Sequence, residues 1–253
     1  MIEGDVLGDD SYFSGPQLSP GVKPHEESEY YASRVSALSM TPNADYDAGT
    51  LILDVQPSAV GYKTLVYQQP GFSNLNIINN SVTTKKGTRN TISVKRKSGT
   101  NDVVISGQLP MGSSAKKWVT VADPTVTTLH FARSAFMQAG IELGQGSWYW
   151  RQMIQPDYQL LYTHYSMPLG QMYPTFMKLS NNVMADMFLK TIGAERKGVG
   201  DLEHSAAVLN EYLQASYMPV KSMVMVDGSG LSEANRLTTN DLATFLTQTS
   251  KTY

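Results

Sequence analysis

The 253-residue chain contains no cysteine. That excludes disulfides, thiol nucleophiles and cysteine-held zinc, and it leaves the compartment open. Charged residues are sparse, at 17% against 41% hydrophobic, which describes a globular chain and excludes a disordered one. The net charge of −2 provides no general attraction to nucleic acid or to anionic membranes. Long apolar runs are missing as well, so no segment reads as a transmembrane span. The N-terminal residues Met1-Ile2-Glu3-Gly4-Asp5 lack the basic-then-apolar plan of a signal peptide. The four histidines, His25, His130, His164 and His204, are scattered without metal-ligand spacing, and no phosphate-binding glycine loop occurs. Neither a metal nor a cofactor is expected.

What is present divides by pattern. Between Thr50 and Leu109, short runs rich in β-branched residues alternate with Gly, Pro and Asn: Leu51–Val55, Thr64–Tyr67, Leu75–Ile78, Thr91–Val94 and Asp102–Ile105. They predict an antiparallel sheet or small sandwich. The basic runs Lys85-Lys86 and Lys95-Arg96-Lys97 read as solvated faces of it. After Pro110 and one more strand, Trp118–Val121, helices enter. Asp123-Pro124 is a cap-plus-proline start for a helix with an inner stripe of Leu129, Ala132, Phe136 and Ala139. Residues 141–165 return to strand, with Trp148-Tyr149-Trp150 as core or sheet face. Asp201 caps a further helix with inner residues Leu202, Ala206, Leu209 and Leu213. Met223–Val226 reads as a strand running into Asp227-Gly228-Ser229-Gly230. Thr238 with Asp241 forms a capping box for the last helix. No internal repeat is visible.

The stretch Lys178-Leu179-Ser180-Asn181-Asn182-Val183-Met184-Ala185-Asp186 joins two helical patterns. An apolar run over 172–179 leads into it, and Val183, Met184, Met187, Phe188 and Ile192 follow at helical spacing up to Gly193, a predicted stop. Ser180 and Asn182 therefore stand where a helix begins, as N-terminal caps or as groups free to meet a ligand.

With Asp227–Leu237 downstream, this stretch resembles the serine-type D-Ala-D-Ala carboxypeptidase/endopeptidase family, the low-molecular-mass class C penicillin-binding proteins. Further segments agree along the chain: Glu3–Val6 with Asp9–Phe13, Tyr31-Ala32-Ser33 with Ser36–Ser39, Gly107–Pro110, and His164–Leu169. The resemblance implies an α+β fold: part of a β-lactamase/transpeptidase-like domain, helices on an antiparallel sheet, with a mostly β inserted domain. The division expected is residues 1–110 for the insertion and 111–253 for the transpeptidase-like segment.

The family's chemistry uses three elements. A Ser-x-x-Lys supplies the nucleophile and its neighbouring base, because a serine hydroxyl is inert without an acceptor for its proton. In the Ser-x-Asn element the serine joins the proton path to the leaving amine and the asparagine holds the substrate amide. Ser180 and Asn182 take these two roles by resemblance; theirs is the chain's single Ser-x-Asn. Asp9 and Phe13 are weaker candidates for contact with the stem peptide. The third element, Lys-Thr-Gly, is absent, and Lys251-Thr252-Tyr253 matches two of its letters. Ser-x-x-Lys occurs from Ser113 and from Ser114, both in a polar loop between strands, where the family places its nucleophile at the start of a buried helix. The expectation is an internal segment of a penicillin-binding serine peptidase, inactive by itself and completed by missing segments or a second chain. Its partners would be peptidoglycan stem peptides and β-lactam antibiotics, and its location the periplasm or cell envelope. The alternative is a non-catalytic cell-wall-binding or scaffolding relative that lost the nucleophile.

Overall fold

The computed structural model describes residues 1–71, 73–145, 148–216 and 222–252. The chain opens with a short strand, Val6–Gly8 (β1), and a loop-rich stretch that reaches Thr50. Thr50–Gln56 (β2) is then the centre of the first sheet. Six of its seven residues carry a β-branched or aliphatic side chain or an acid, and all but the acid and the last glutamine are buried. Such a strand needs a neighbour on each side. Leu65–Gln69 (β3) pairs antiparallel along one edge and Ala115–Thr120 (β9) along the other, with Leu53 opposite Gln68 and Lys117. β3 alternates exposed and half-buried, as an edge strand with one wet face does.

Between β3 and β9 lie Asn76–Asn79 (β4), Val82–Thr84 (β5), Ser93–Arg96 (β6), Asp102–Ser106 (β7) and Gln108–Pro110 (β8). The expected strands are present, but their pairing is not antiparallel throughout. β6 and β7 form an antiparallel ladder, whereas β4 runs parallel to β7 and β5 parallel to β8. The strands after the β6–β7 reversal return along those before it, so parallel neighbours result. One apolar core, including Leu51, Leu53, Val55, Val103, Ile105, Leu109, Val119 and Val121, lies among these sheets. Arg96, read from sequence as solvated, is buried. Its guanidinium donates to the carbonyls of Glu27, Lys97 and Thr100 and to Thr120 Oγ1, which ties the β region to the loop before it. Buried charge persists where every donor finds an acceptor.

Helices follow. Pro124–Gln138 (α1) starts as expected, with Asp123 Oδ1 accepting from the Val126 N–H. Its buried face is Pro124, Thr125, Thr127 and Leu129, in its first half only; Ala132 and Phe136 are half-buried and Ala139 is exposed. Of the strands predicted over 141–165, of which residues 146 and 147 lie outside the described ones, the described residues form Tyr149–Arg151 (β10), parallel to β1. Residues 152–165 form no strand, and Leu160, Leu161, Tyr162 and Tyr165 are exposed. β-rich composition makes a strand only where a partner edge exists, and β10 finds its one described partner in β1.

Leu169–Leu179 (α2), Asn182–Lys197 (α3) and Leu202–Ala215 (α4) complete the central part, and Thr239–Thr252 (α5) closes it with the expected Thr238–Asp241 capping box. α4 is capped by Asp201 as predicted. Met223–Val226 gives a single bridge, Val224 to Arg236, in place of a strand. α3 does not stop at Gly193. It runs on to a left-handed Gly198, and Gly193 lies buried against α4, where a Cβ would come within 2.1 Å of Ser205 Oγ and 2.6 Å of the Val199 carbonyl oxygen. A glycine that reads as a terminator is here a point of close approach to α4. Among the described residues no helix is long and apolar enough to cross a membrane.

Gly193→Ala should therefore destabilise the fold by about 1–3 kcal/mol through overpacking, in spite of alanine's better helix propensity. Urea denaturation would show it as a lower midpoint with unchanged slope. A variant as stable as the parent would mean that the α3–α4 approach is not tight.

Candidate active site

Two residues, Ser180 and Asn181, join α2 to α3, and together with Asn182, the first residue of α3, each has a different job. Ser180 ends α2 in a left-handed conformation (φ 53°, ψ 54°), with its N–H bonded back to the Phe176 carbonyl. Its side chain is exposed, and its hydroxyl has no partner among the described residues. Asn181 is the residue that caps α3. Its Oδ1 accepts from the Met184 N–H at 2.9 Å, and its Nδ2 donates to the Asp45 carbonyl at 3.1 Å and to Asp47 Oδ1 at 3.0 Å. Asn182 is already helical, and its Nδ2 donates to the Tyr31 carbonyl at 3.1 Å. The cap expected of Ser180 or Asn182 thus falls on the residue between them. Because Asn181 takes the capping duty, the Ser180 hydroxyl and Asn182 Oδ1 stay unpaired among the described residues.

A left-handed non-glycine residue carries a modest backbone cost and persists where its surroundings fix it. Here the fixing is done by Asn181, which is buried and anchors the junction to the 45–47 loop. Asp47, on that loop, is pushed up to about 6 by burial and by the neighbouring Asp45.

The two segments singled out in the sequence, 180–186 and 227–237, meet directly. Asp186, buried on α3, accepts from the Gly228 N–H at 2.7 Å and the Ser229 N–H at 3.0 Å. Gly228 has no room for a side chain: a Cβ would lie 2.5 Å from the Ala185 carbonyl oxygen. Asp227 in turn gathers its own loop. Its carboxylate accepts from the Gly230 and Ser232 N–H groups, from Asn235 Nδ2 and from the Ser19 hydroxyl. The segment is structural: it is a turn clamped to α3.

One helical turn beyond Asp186, the buried Lys190 ammonium donates to the carbonyls of Ser14 and Pro16, each at 2.9 Å, and stands 5.9 Å from the centre of the Phe13 ring. Burial pulls its pKa down, against the opposing pull of Asp186 and Asp201. The sequence reading passed over Lys190 and Asn181; a lysine and an aspartate four residues apart on the apolar face of α3 were the available signal. Phe13 packs with Val35, Ala48, Val183 and Met187, so the start of α3 and the Phe13 segment share one small core. Phe13 also lines a polar cavity of about 330 Å³ with Asp10, Ser36, Arg151 and Lys190. Asp9 is placed differently. Its oxygens accept from the Ser11 and Ile154 N–H groups; burial opposes ionisation, but the Ser11 side chain together with these two N–H bonds outweighs it and holds the carboxyl below its usual range.

Neither Ser-x-x-Lys lies on a helix. Ser113 donates to the Pro110 carbonyl at 2.8 Å in the turn before β9, and Lys116 and Lys117 are exposed on that strand, opposite Asp54 and Leu53. The arrangement of a serine and a lysine one turn apart on a helix face is not formed by these residues.

Asp186 sets a pH test. Burial pushes its carboxyl up to about 6, Asp227 adds to the rise, and the two backbone N–H bonds only partly oppose it. A folded-state pKa above the ordinary 3.8 means that its ionisation opposes folding. Its contribution is fully present below pH ~4 and is lost as pH rises through 6, on the order of 2–3 kcal/mol. Asp186→Asn keeps an acceptor for Gly228 and Ser229 and should flatten that part of the stability–pH curve. Parallel curves for parent and variant between pH 4 and 6 would refute the assignment.

Comparison with known proteins places this geometry. Residues 1–252 match the model of the D-Ala-D-Ala carboxypeptidase 3 (S13) family. The chain is 29% identical over 255 residues to a D-alanyl-D-alanine carboxypeptidase from Actinomadura sp., covering 98% of this chain and 46% of that protein, so it spans about half the length of this relative. Among solved structures it is similar to penicillin binding protein 4 (dacB) from Haemophilus influenzae, with a TM-score of 0.78, 18% identity and coverage of 98% of this chain and 54% of that one. A second structure of that protein, complexed with a novel β-lactam, matches with a TM-score of 0.68 and 16% identity, over 99% of this chain and 53% of that one. These likenesses establish an α+β fold of the transpeptidase-like kind. The family match spans almost the whole sequence, and the chain belongs to the D-Ala-D-Ala carboxypeptidase 3 (S13) family.

Proposed function

We propose that this chain is part of a penicillin-binding serine DD-peptidase, which hydrolyses D-Ala-D-Ala bonds of peptidoglycan stem peptides through an acyl-enzyme. The observation that carries the reading is the α2–α3 junction, where an exposed hydroxyl and an oriented amide stand side by side on a fixed backbone. Ser180 acts in the proton path to the leaving amine. Its hydroxyl can accept a proton from one side and pass one on from the other, and the left-handed backbone turns it outward. Asn182 holds the substrate amide. The Tyr31 carbonyl pins its Nδ2, which leaves Oδ1 aimed as an acceptor for a substrate N–H. Phe13 contributes an apolar wall to the stem-peptide subsite. Asp9 brings a carboxylate whose ionised form is favoured by hydrogen bonds from the Ser11 side chain and from the Ile154 and Ser11 N–H groups.

By itself the chain does not turn over substrate. Its Ser-x-x-Lys sequences sit in a turn and on a strand, where serine and lysine share no helix face, so the nucleophile–base pair comes from other segments or from a second chain. The division at residue 110 belongs to this proposal, with β9 as the strand through which the β-rich part joins the helical part. β-Lactams, as mimics of the acylating substrate, are the expected inhibitors, and the cell envelope or periplasm the expected location.

Two outcomes test the reading. A fluorescent penicillin incubated with this chain should leave no covalent label at Ser113 or Ser114 by intact mass; label at either overturns the site. In the complete enzyme, Asn182→Ala should slow acylation on the order of ten- to a hundredfold, the loss of one substrate hydrogen bond, with little change in melting temperature. A collapse in stability with acylation spared would make Asn182 a structural residue only.

A further inference from the structure

The net charge of −2 conceals a steep division along the chain. Residues 50–121 hold nine basic and two acidic side chains, a net of +7, whereas the rest of the chain holds eleven and twenty, a net of −9. Part of the cationic excess collects at one place in the fold. β5 ends at Thr84 and runs parallel to β8, which ends at Pro110, so the turns that follow them leave from the same end. The Met111 N–H bonds to the Thr84 carbonyl at 2.9 Å and fastens those turns together. Residues 61–63 also pair with β5. Gly61 donates to the Thr83 carbonyl at 2.9 Å, Thr83 donates back to the Tyr62 carbonyl at 2.8 Å, and Lys63 is bridged to Val82. That pairing is antiparallel, so the turn at Val60 is carried to the end where Lys85 and Met111 emerge.

The result is a tip of mixed character. Its cations are Lys63, Lys85, Lys86 and Arg89, with Lys116 just inside β9. All are exposed, and none forms an ion pair with a described residue. The two acids of the region do not neutralise them: Asp102 pairs with Lys97, and Asp54 is half-buried with the Gln56 amide on one of its oxygens. Beside the cations stand Val60, Tyr62 and Met111, which are 47%, 71% and 38% exposed. We propose that this tip docks the chain onto an anionic phospholipid membrane, its basic side chains on the lipid phosphates and Val60, Tyr62 and Met111 entering the headgroup layer. Lysine and arginine reach phosphates from such a position, and tyrosine favours the headgroup level. Charge and apolar contact reinforce each other in attachment of this kind. A soluble polyanion would use the cations alone and leave the three apolar side chains in water. The acid-rich remainder of the chain is repelled by the same surface, so the charge division orients the tip towards the membrane.

Co-sedimentation of this chain with lipid vesicles is the test. Vesicles of phosphatidylcholine mixed with phosphatidylglycerol should bind at least about tenfold more tightly than vesicles of phosphatidylcholine alone, and added salt should weaken the binding. Lys85→Gln with Lys86→Gln should weaken it by about tenfold or more, because each basic side chain near such a surface contributes about fivefold. Tyr62→Ser should weaken it severalfold and leave its salt dependence unchanged. All three side chains are exposed, so melting temperatures should stay at the parent value, which separates lost binding from lost folding. Arg133→Gln, which removes an exposed charge from α1, should change nothing. Equal binding to the two kinds of vesicle, or a loss with Arg133→Gln as large as with the lysine pair, would overturn the proposal. So would indifference to Tyr62→Ser, which would mean a site for soluble polyanions in place of a membrane contact.

Discussion

Lys190 buries its ammonium in the interior, and two backbone carbonyls from the first segment of the chain accept hydrogen bonds from it. A buried ammonium without such acceptors would be strongly destabilising, so residues 14–16 cannot leave α3 without exposing or neutralising it. The same helix face holds Asp186, which takes the N–H groups of the 228–229 turn, and Asn181 at its start takes the 45–47 loop. Three segments remote in sequence thus converge on one helix through hydrogen bonds to groups that have nowhere else to go.

This polar clamping explains why the α2–α3 junction can be both strained and exposed. Ser180 adopts a left-handed backbone without being glycine, and it does so between a helix whose Phe176 carbonyl takes the last N–H groups and an asparagine fixed from the opposite side. The apolar contribution is smaller here. Val35, Ala48 and Val183 with Phe13 and Met187 make a compact cluster, much smaller than the core of the β-rich part. Stability near the junction is then concentrated in charged and hydrogen-bonded groups, and it responds to pH where the core of the sheets does not.

The β-rich part follows the opposite plan. Its strands are held by an apolar interior, and Arg96, its one deeply buried charge among the described residues, serves to dock the preceding loop at Glu27. The strand β9 passes from this region towards α1, and Asp123 immediately caps that helix. At Arg151 the helix start and the first segment are joined again, because its guanidinium pairs with both Asp123 and Asp10.

Much was legible in the sequence wherever a local cause sufficed. The strands from 50 to 120, the Asp123-Pro124 and Asp201 helix starts and the Thr238–Asp241 box are set by side-chain branching and capping chemistry, which act within a few residues. The ordered motifs around Ser180 and Asp227 likewise carried the family without any geometry. What only the tertiary structure decided were features whose cause lies far along the chain. Gly193 is a terminator by local rule and a helix contact by the approach of Ser205. Arg96 is a surface residue by pattern and an interior one because Glu27 and Thr120 surround it. The apolar runs after 151 became exposed loop because β-propensity needs a neighbouring edge. The capping of α3 by Asn181 rather than by Ser180 or Asn182 was fixed by the 45–47 loop, and no spacing within the motif could announce it.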